Sequence, residues 1–166
     1  QSGYEITVLD DSGWEYLVEL DHVESKHAEV RVKERRRCRG EASLHVTLYQ
    51  AVLKENKFDY VLQKGTELGV SAFVPVYCSR SVPRPQRRSK ADRWRRIVKE
   101  AAEQSRRGML PSVAEPVDFE VACEEVEGPA VIPWEGESSN SLRTVIDRLS
   151  GPITRLSVFT GPEGGF

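Results

Sequence analysis

The chain opens on strict alternation. Tyr4-Glu5-Ile6-Thr7-Val8-Leu9 puts apolar side chains on one side of an extended segment. Asp10-Asp11-Ser12-Gly13 is a turn signal, and Trp14-Glu15-Tyr16-Leu17-Val18 resumes the pattern. The spacing predicts a β-hairpin. Glu29-Val30-Arg31-Val32 predicts a further short strand, and the polar stretch from Arg35 to Glu41, ending near Gly40, reads as a linker. Strands this short bury too little to stand alone and are expected to belong to a small barrel.

From Leu44 the period switches back and forth between two and 3.6 residues. Leu44 to Tyr49 predicts a strand. Phe58, Val61, Leu62, Gly65 and Leu68 predict a helix stopped at Gly69. Ala72 to Tyr77 predicts a strand whose internal Pro75 points to an edge position or a bulge. The clearest helix follows, with Ser89 as N-cap, Asp92 as its capping-box partner, a stripe of Trp94, Ile97, Val98, Ala101, Ala102 and Ser105, and Gly108 as the stop. An acidic helix near Phe119 to Val126, a strand from Ala130 to Trp134, a helix from Leu142 to Leu149 and a strand over Leu156 to Phe159 complete the series. Repeated βα units predict an α/β fold, a mainly parallel sheet flanked by helices. The last strand runs straight into Gly161-Pro162-Glu163-Gly164-Gly165-Phe166. Three glycines leave main-chain amides bare, and Pro162 stiffens the loop. In open α/β sheets the carboxyl edge is where ligands bind.

Charge sharpens this picture. The net charge of −2 conceals segregation: Arg80 to Arg96 holds eight bases and one acid, Glu115 to Glu137 holds eight acids and no base, and a second basic cluster runs from Lys33 to Arg39. Such sorting points to a polyanion-binding face. No apolar stretch approaches the roughly 20 residues that span a bilayer. Cys38, Cys78 and Cys123 are odd in number and far apart, so reduced thiols are expected, and no histidine–cysteine spacing suits a metal. A GxSxG elbow, a GxxxxGK[ST] phosphate loop and a GxGxxG fingerprint are all missing. Gln1 is not an initiator methionine, and Phe166 falls where an α/β unit would turn into its next helix, so a segment of a longer protein is expected.

Three segments carry a family resemblance. Lys64-Gly65-Thr66-Glu67-Leu68-Gly69-Val70, then Arg80-Ser81 with Arg93-Trp94 and Glu100-Ala101-Ala102-Glu103-Gln104-Ser105-Arg106-Arg107, and finally Gly161 to Phe166 resemble, in order and spacing, the ribosomal RNA small subunit methyltransferase E family, 16S rRNA uracil-N3 methyltransferases of the SPOUT class. The resemblance implies a partial PUA-like β-barrel that binds RNA over residues 1–40. Residues 41–166 would be a C-terminally truncated SPOUT domain, its trefoil knot incomplete without the family's later helix and second cofactor loop. It implies S-adenosyl-L-methionine as cofactor, 16S rRNA of the small ribosomal subunit as substrate, a homodimer, a cytoplasmic setting, and neither metal nor membrane. Cofactor contacts would come from Gly161, Pro162, Glu163, Gly164 and Gly165, and from Trp134 and Glu135 in the Pro133 to Glu137 turn, which resembles the family's first cofactor-side loop. Arg80 is the candidate catalytic group, either stabilising charge on the uracil or holding a phosphate. Glu163 would act either as base or as a cap on the loop. RNA contacts are expected from Arg84, Arg87, Arg88 and Lys90. Lys64 joins them or pairs with Glu67, and Gln104 and Arg107, on one helix face with Glu100, make an RNA or inter-subunit contact or are ordinary helix surface. The parent protein would be the enzyme and this fragment inactive. The rival reading is a non-catalytic RNA-binding ribosome-assembly factor.

Overall fold

A computed structural model describes residues 3–54, 56–79, 89–149, 151–162 and 165. The N-terminal part is an antiparallel sheet of β1 (Glu5–Leu9), β2 (Trp14–Val23) and β3 (Ala28–Arg37), in that order. The predicted hairpin turn forms, with Asp11 and Gly13 at φ 64° and 77° and the Asp10 carboxylate accepting from the Ser12 amide at 3.1 Å. β2 and β3 are ten residues each, much longer than their hydrophobic pattern suggested. The expected linker from Arg35 is in fact the end of β3. Cross-strand pairing holds it there: Arg36 meets Glu15, Lys33 lies 2.7 Å from Glu19 and Arg31 3.3 Å from Asp21. A strand whose outer face is charged, and whose register slips so that Lys33 is the extra residue beside Leu17 and Val18, loses the alternation that announces it.

The remainder is α/β. Strands β4 (His45–Ala51), β5 (Ala72–Tyr77), β6 (Ser112–Val113), β7 (Val117–Asp118), β8 (Ala130–Val131) and β9 (Arg155–Thr160) form one all-parallel sheet in the order β6-β5-β4-β9-β8, with β7 also on β5. Helices α1 (Lys57–Glu67) and α2 (Ser89–Ser105) cover one face, packing Phe58, Leu62, Trp94 and Val98 onto Val52 and Phe73. Helix α3 (Phe119–Glu124) covers the other, where Tyr49 stacks on Phe159 at 4.4 Å and Phe119 meets Phe159 edge-on at 5.9 Å. Helix α4 (Leu142–Asp147) links β8 to β9 and is capped by the Ser141 hydroxyl, which accepts from the Thr144 amide at 3.1 Å.

Pro75 is not on an edge strand, because β4 flanks β5 on one side. Its donorless nitrogen turns to the other side, as alternation from Phe73 requires, since the Phe73 carbonyl accepts there from Ala114. That flank is split into β6 and β7, and Pro75 sits in the gap between them. The split reconciles an internal proline with an interior strand.

Two details of α2 differ from expectation. Ser89 is its first helical residue, not a cap before it, and Asp92 accepts from Arg95. The helix ends at Ser105, before Gly108. Arg106 takes φ 57°, its amide donates to Glu103, and the Arg107 amide donates to Ala102 at 2.9 Å. This is a Schellman termination in which arginine occupies the position usually held by glycine. Arg106→Gly is therefore expected to stabilise the protein by about 0.5–1 kcal/mol, read from urea unfolding.

Candidate functional site

The parallel sheet has one switch in strand order, between β4 and β9. From β4 the chain moves outward through β5 to β6 and β7, then crosses to β8 and returns to β9. A crevice at the carboxyl ends of such strands is the general ligand position of open α/β sheets. Gln50 at the end of β4 is paired with Thr160 at the end of β9, so the Gly161 turn leaves the sheet at the switch point. Pro162 is buried, Gly161 and Gly165 are half-buried, and the Gly165 amide closes the turn onto the Pro162 carbonyl at 2.9 Å. Gly165 has φ 74°, a conformation open to glycine at little strain. Glu163 and Gly164 lie outside the described residues.

The neighbouring strand delivers a second loop to the same edge. Val131 pairs with Val158, so continuing the register places Pro133 level with Thr160. The strand itself is only Ala130–Val131, shorter than its sequence suggested, because the chain breaks away at Ile132. A pocket of about 700 Å³ opens here between the loop and α4, walled by Ile132, Trp134, Leu142 and Val145, with Glu137 and Arg148 at its rim. Trp134 is 65% exposed. The Glu137 carboxylate ties the loop: it accepts from the Ser139 hydroxyl and amide and from the Asn140 amide at 3.0 Å. Those bonds hold its pKa down to about 2. Glu135 is exposed on the same turn. Among the described residues, Gly161, Pro162 and Gly165 do not line this pocket, so the two loops share an edge without enclosing one cavity.

Trp134 folds back over its own turn. A Cβ on Gly136 would lie 2.4 Å from the indole Cζ2. Gly136→Ala is expected to displace the indole while leaving stability within about 0.5 kcal/mol of the parent. A shift of the Trp134 indole N–H resonance, with those of Trp14 and Trp94 unmoved, is the check.

Gln50 is a site residue that the sequence did not single out. Its side chain is 3% exposed and faces α1 and α2, as Leu48 and Val52 do. The amide donates to the Ala51 carbonyl at 3.1 Å and to that of Thr160 at 3.4 Å. A lone amide among Leu48, Tyr49, Ala51 and Val52 was the available signal.

Of the expected RNA-contact residues, Lys64, Lys90, Gln104 and Arg107 are described. Arg80, Arg84, Arg87 and Arg88 lie outside the described residues. Lys90 is exposed on the first turn of α2. Lys64 pairs with Glu67 at 2.7 Å, and Gln104 lines a groove of about 600 Å³ between α1 and α2 that Glu67 also borders. Arg107 is the clear departure from expectation: it is an interior residue, 6% exposed. The left-handed turn at Arg106 swings it inward, where it donates to the carbonyls of Thr66 and Val70 and to the Glu41 carboxylate at 2.9 Å. Other bases of the cluster are also neutralised, Arg93 by Asp59, Arg95 by Glu115 and Arg96 by Glu100. Among the described residues no group of three metal-binding side chains forms, and no helix is long and apolar enough to cross a membrane.

Residues 40–166 match the model of a family described as an RNA methyltransferase domain. The chain is 35% identical over 169 residues to the ribosomal RNA small subunit methyltransferase E of Synechocystis sp., covering 100% of this chain and 54% of that one. It is 31% identical over 172 residues to that of Bacillus subtilis, covering 98% and 67%. A ribosomal RNA small subunit methyltransferase E from Neisseria gonorrhoeae, solved bound to S-adenosyl methionine, matches with a TM-score of 0.84 at 27% identity, covering 100% of this chain and 68% of that one. The chain thus spans about half to two thirds of the length of these relatives. On the family match and on the identity to relatives of that name, this chain belongs to the RNA methyltransferase domain family, within the ribosomal RNA small subunit methyltransferase E group.

Proposed function

We propose that the full gene product transfers a methyl group from S-adenosylmethionine to N3 of a uridine in 16S rRNA. The observation that carries this reading is the Gly161 turn at the β4–β9 switch point, in a chain matched along its whole length by a relative that holds S-adenosyl methionine. The residues fit such a cofactor. The turn offers bare main chain, Trp134 offers an apolar wall, and Glu135 offers a negative charge to a cation. Gly161, Pro162, Gly165, Trp134 and Glu135 would hold it, with Glu163 and Gly164 completing the turn. When bound, it supplies an electrophilic methyl group on a sulfonium.

The protein's own task is then positioning and charge. Uracil N3 is protonated at neutral pH, so its proton must leave, and the charge that spreads to O2 and O4 must be stabilised. Arg80, two residues beyond Cys78 after β5, would supply a planar, permanently charged donor for that purpose. Glu163 serves as base or as a cap on the turn. Lys90, Arg84, Arg87 and Arg88 would hold phosphates. Residues 1–40 are assigned to RNA binding as part of a PUA-like barrel and residues 41–166 to a SPOUT domain. The active form would be a cytoplasmic homodimer. Residues 1–166 alone would be inactive, since the relatives are longer.

The test is incubation of the full gene product with labelled cofactor and unmodified small ribosomal subunits, followed by mass mapping of the 16S rRNA. Label at N3 of one uridine is expected. Tight RNA binding with no label at any base would replace this reading with the non-catalytic assembly factor.

A further inference from the structure

The antiparallel sheet sorts its positive charge by face. On one side Arg31, Lys33 and Arg36 are each neutralised by a carboxylate of β2, namely Asp21, Glu19 and Glu15. The other side carries Arg35 and Arg37, which register opposite Tyr16 and Trp14. Both guanidiniums lie against the one Trp14 indole, at 4.0 and 4.1 Å from its centroid, and Arg35 also approaches Tyr16 at 5.7 Å. Among the described residues, no carboxylate lies within ion-pair reach of either. Both side chains are exposed.

Stacking on an aromatic face fixes the plane of a guanidinium and leaves its N–H edge free. Two such groups on one ring form a preorganised, unneutralised pair of phosphate donors, and arginine planes also stack on unpaired bases. The pair stands at the end of the sheet that meets the α/β part, where the Gly13 amide donates to Gly108 at 3.1 Å and the Cys38 amide to Gly13 at 3.0 Å. We propose that Trp14, Arg35 and Arg37 form an RNA-backbone contact site at this junction, gripping substrate beside the methyltransferase domain. The proposal rests on the reading of the substrate as ribosomal RNA.

The experiment measures binding of the full gene product to fluorescein-labelled 16S rRNA transcript, without cofactor, from about 50 to 200 mM salt. The Arg35→Ala/Arg37→Ala double variant is expected to bind about tenfold more weakly, with the slope of log affinity against log salt reduced by roughly 1.5, the value for two lost phosphate contacts. Trp14→Leu keeps both charges and is expected to weaken binding about threefold with the slope unchanged. Arg31→Ala/Arg36→Ala, on the opposite face, is expected to bind as the parent does. Unchanged melting temperatures confirm that each variant folds. Equal affinity and slope in the Arg35/Arg37 variant, or an equal loss from Arg31/Arg36, overturns the proposal. So does displacement by poly-glutamate as readily as by poly-uridylate, which would make the site one for an acidic protein. Because binding is read without methyl transfer, an inactive parent protein would sink the enzymatic reading and leave this result standing.

Discussion

Arg107→Ala is expected to destabilise the protein by about 3–5 kcal/mol, the usual effect of removing one partner from a buried ion pair. The guanidinium serves three acceptors: the carbonyls of Thr66 in the last turn of α1 and of Val70 beyond it, and the Glu41 carboxylate. Its loss takes one donor from each of them, and the Glu41 carboxylate loses the cation that compensates its partial burial. Glu41 also accepts from the Met109 amide at 3.0 Å, so the defect spreads to the loop on which the antiparallel sheet rests. Burial by itself would raise the Glu41 carboxyl pKa. The Arg107 guanidinium and the Met109 amide outweigh it, and the group titrates below its ordinary value of 4.5. A lowered folded value means that the ionised pair stabilises the protein above pH 4.5 and that this contribution fades as the pH drops through the lowered value. Urea unfolding at neutral pH measures the cost. Repeating it toward pH 3 is expected to show parent and variant converging. A paired Glu41→Gln/Arg107→Met replacement is expected to recover much of the loss, because the orphaned Arg107 Nε, buried with no partner, disappears with the charge.

The second large effect is Trp94→Ala, expected to cost about 3–5 kcal/mol. Trp94 is 3% exposed and its ring lies 4.6 Å from that of Phe58, tilted by 43°. The pair is the main apolar seam between α1 and α2, and both rings also rest on the core around Val52, Phe73 and Val98. Removing the indole leaves a void that the two helices cannot close without leaving the sheet. Thermal melting gives the size of the loss, and Trp94→Phe is expected to recover more than half of it. By contrast, Arg96→Ala removes only an exposed i,i+4 pair with Glu100 at 3.8 Å and is expected to change stability by less than about 0.5 kcal/mol.

The parallel sheet was legible in the sequence because β4, β5 and β9 are apolar runs separated by helical periodicity, and α1 stops where Gly69 said it would, its amide donating to Thr66 at 3.1 Å. The two-residue strands β6 and β7 were not legible: a pair of residues carries no period. Beyond Arg35, β3 reads as a linker because its stability comes from partners on β2, and a chain read in one dimension shows charge without showing what neutralises it. The same limit hid Arg107. Its place in the family-like run is on helix surface, and only the left-handed turn at Arg106 sends it inside. At the site, the glycine turn was readable from composition. Gln50 stands out there only as a lone amide in an apolar strand, and its meaning depends on Thr160, its partner 110 residues away.

The interrupted flank beside Pro75 has a further consequence. Both borders of the parallel sheet end in two-residue strands, β6 and β7 on one side and β8 on the other. A border so short gives an incoming chain almost no template for growth, and the missing proline donor breaks what remains. Among the described residues, β3, the longer border of the antiparallel sheet, instead carries the unneutralised Arg35 and Arg37, which repel a like copy. The parallel sheet is thus guarded against aggregation by brevity, and the β3 border by charge.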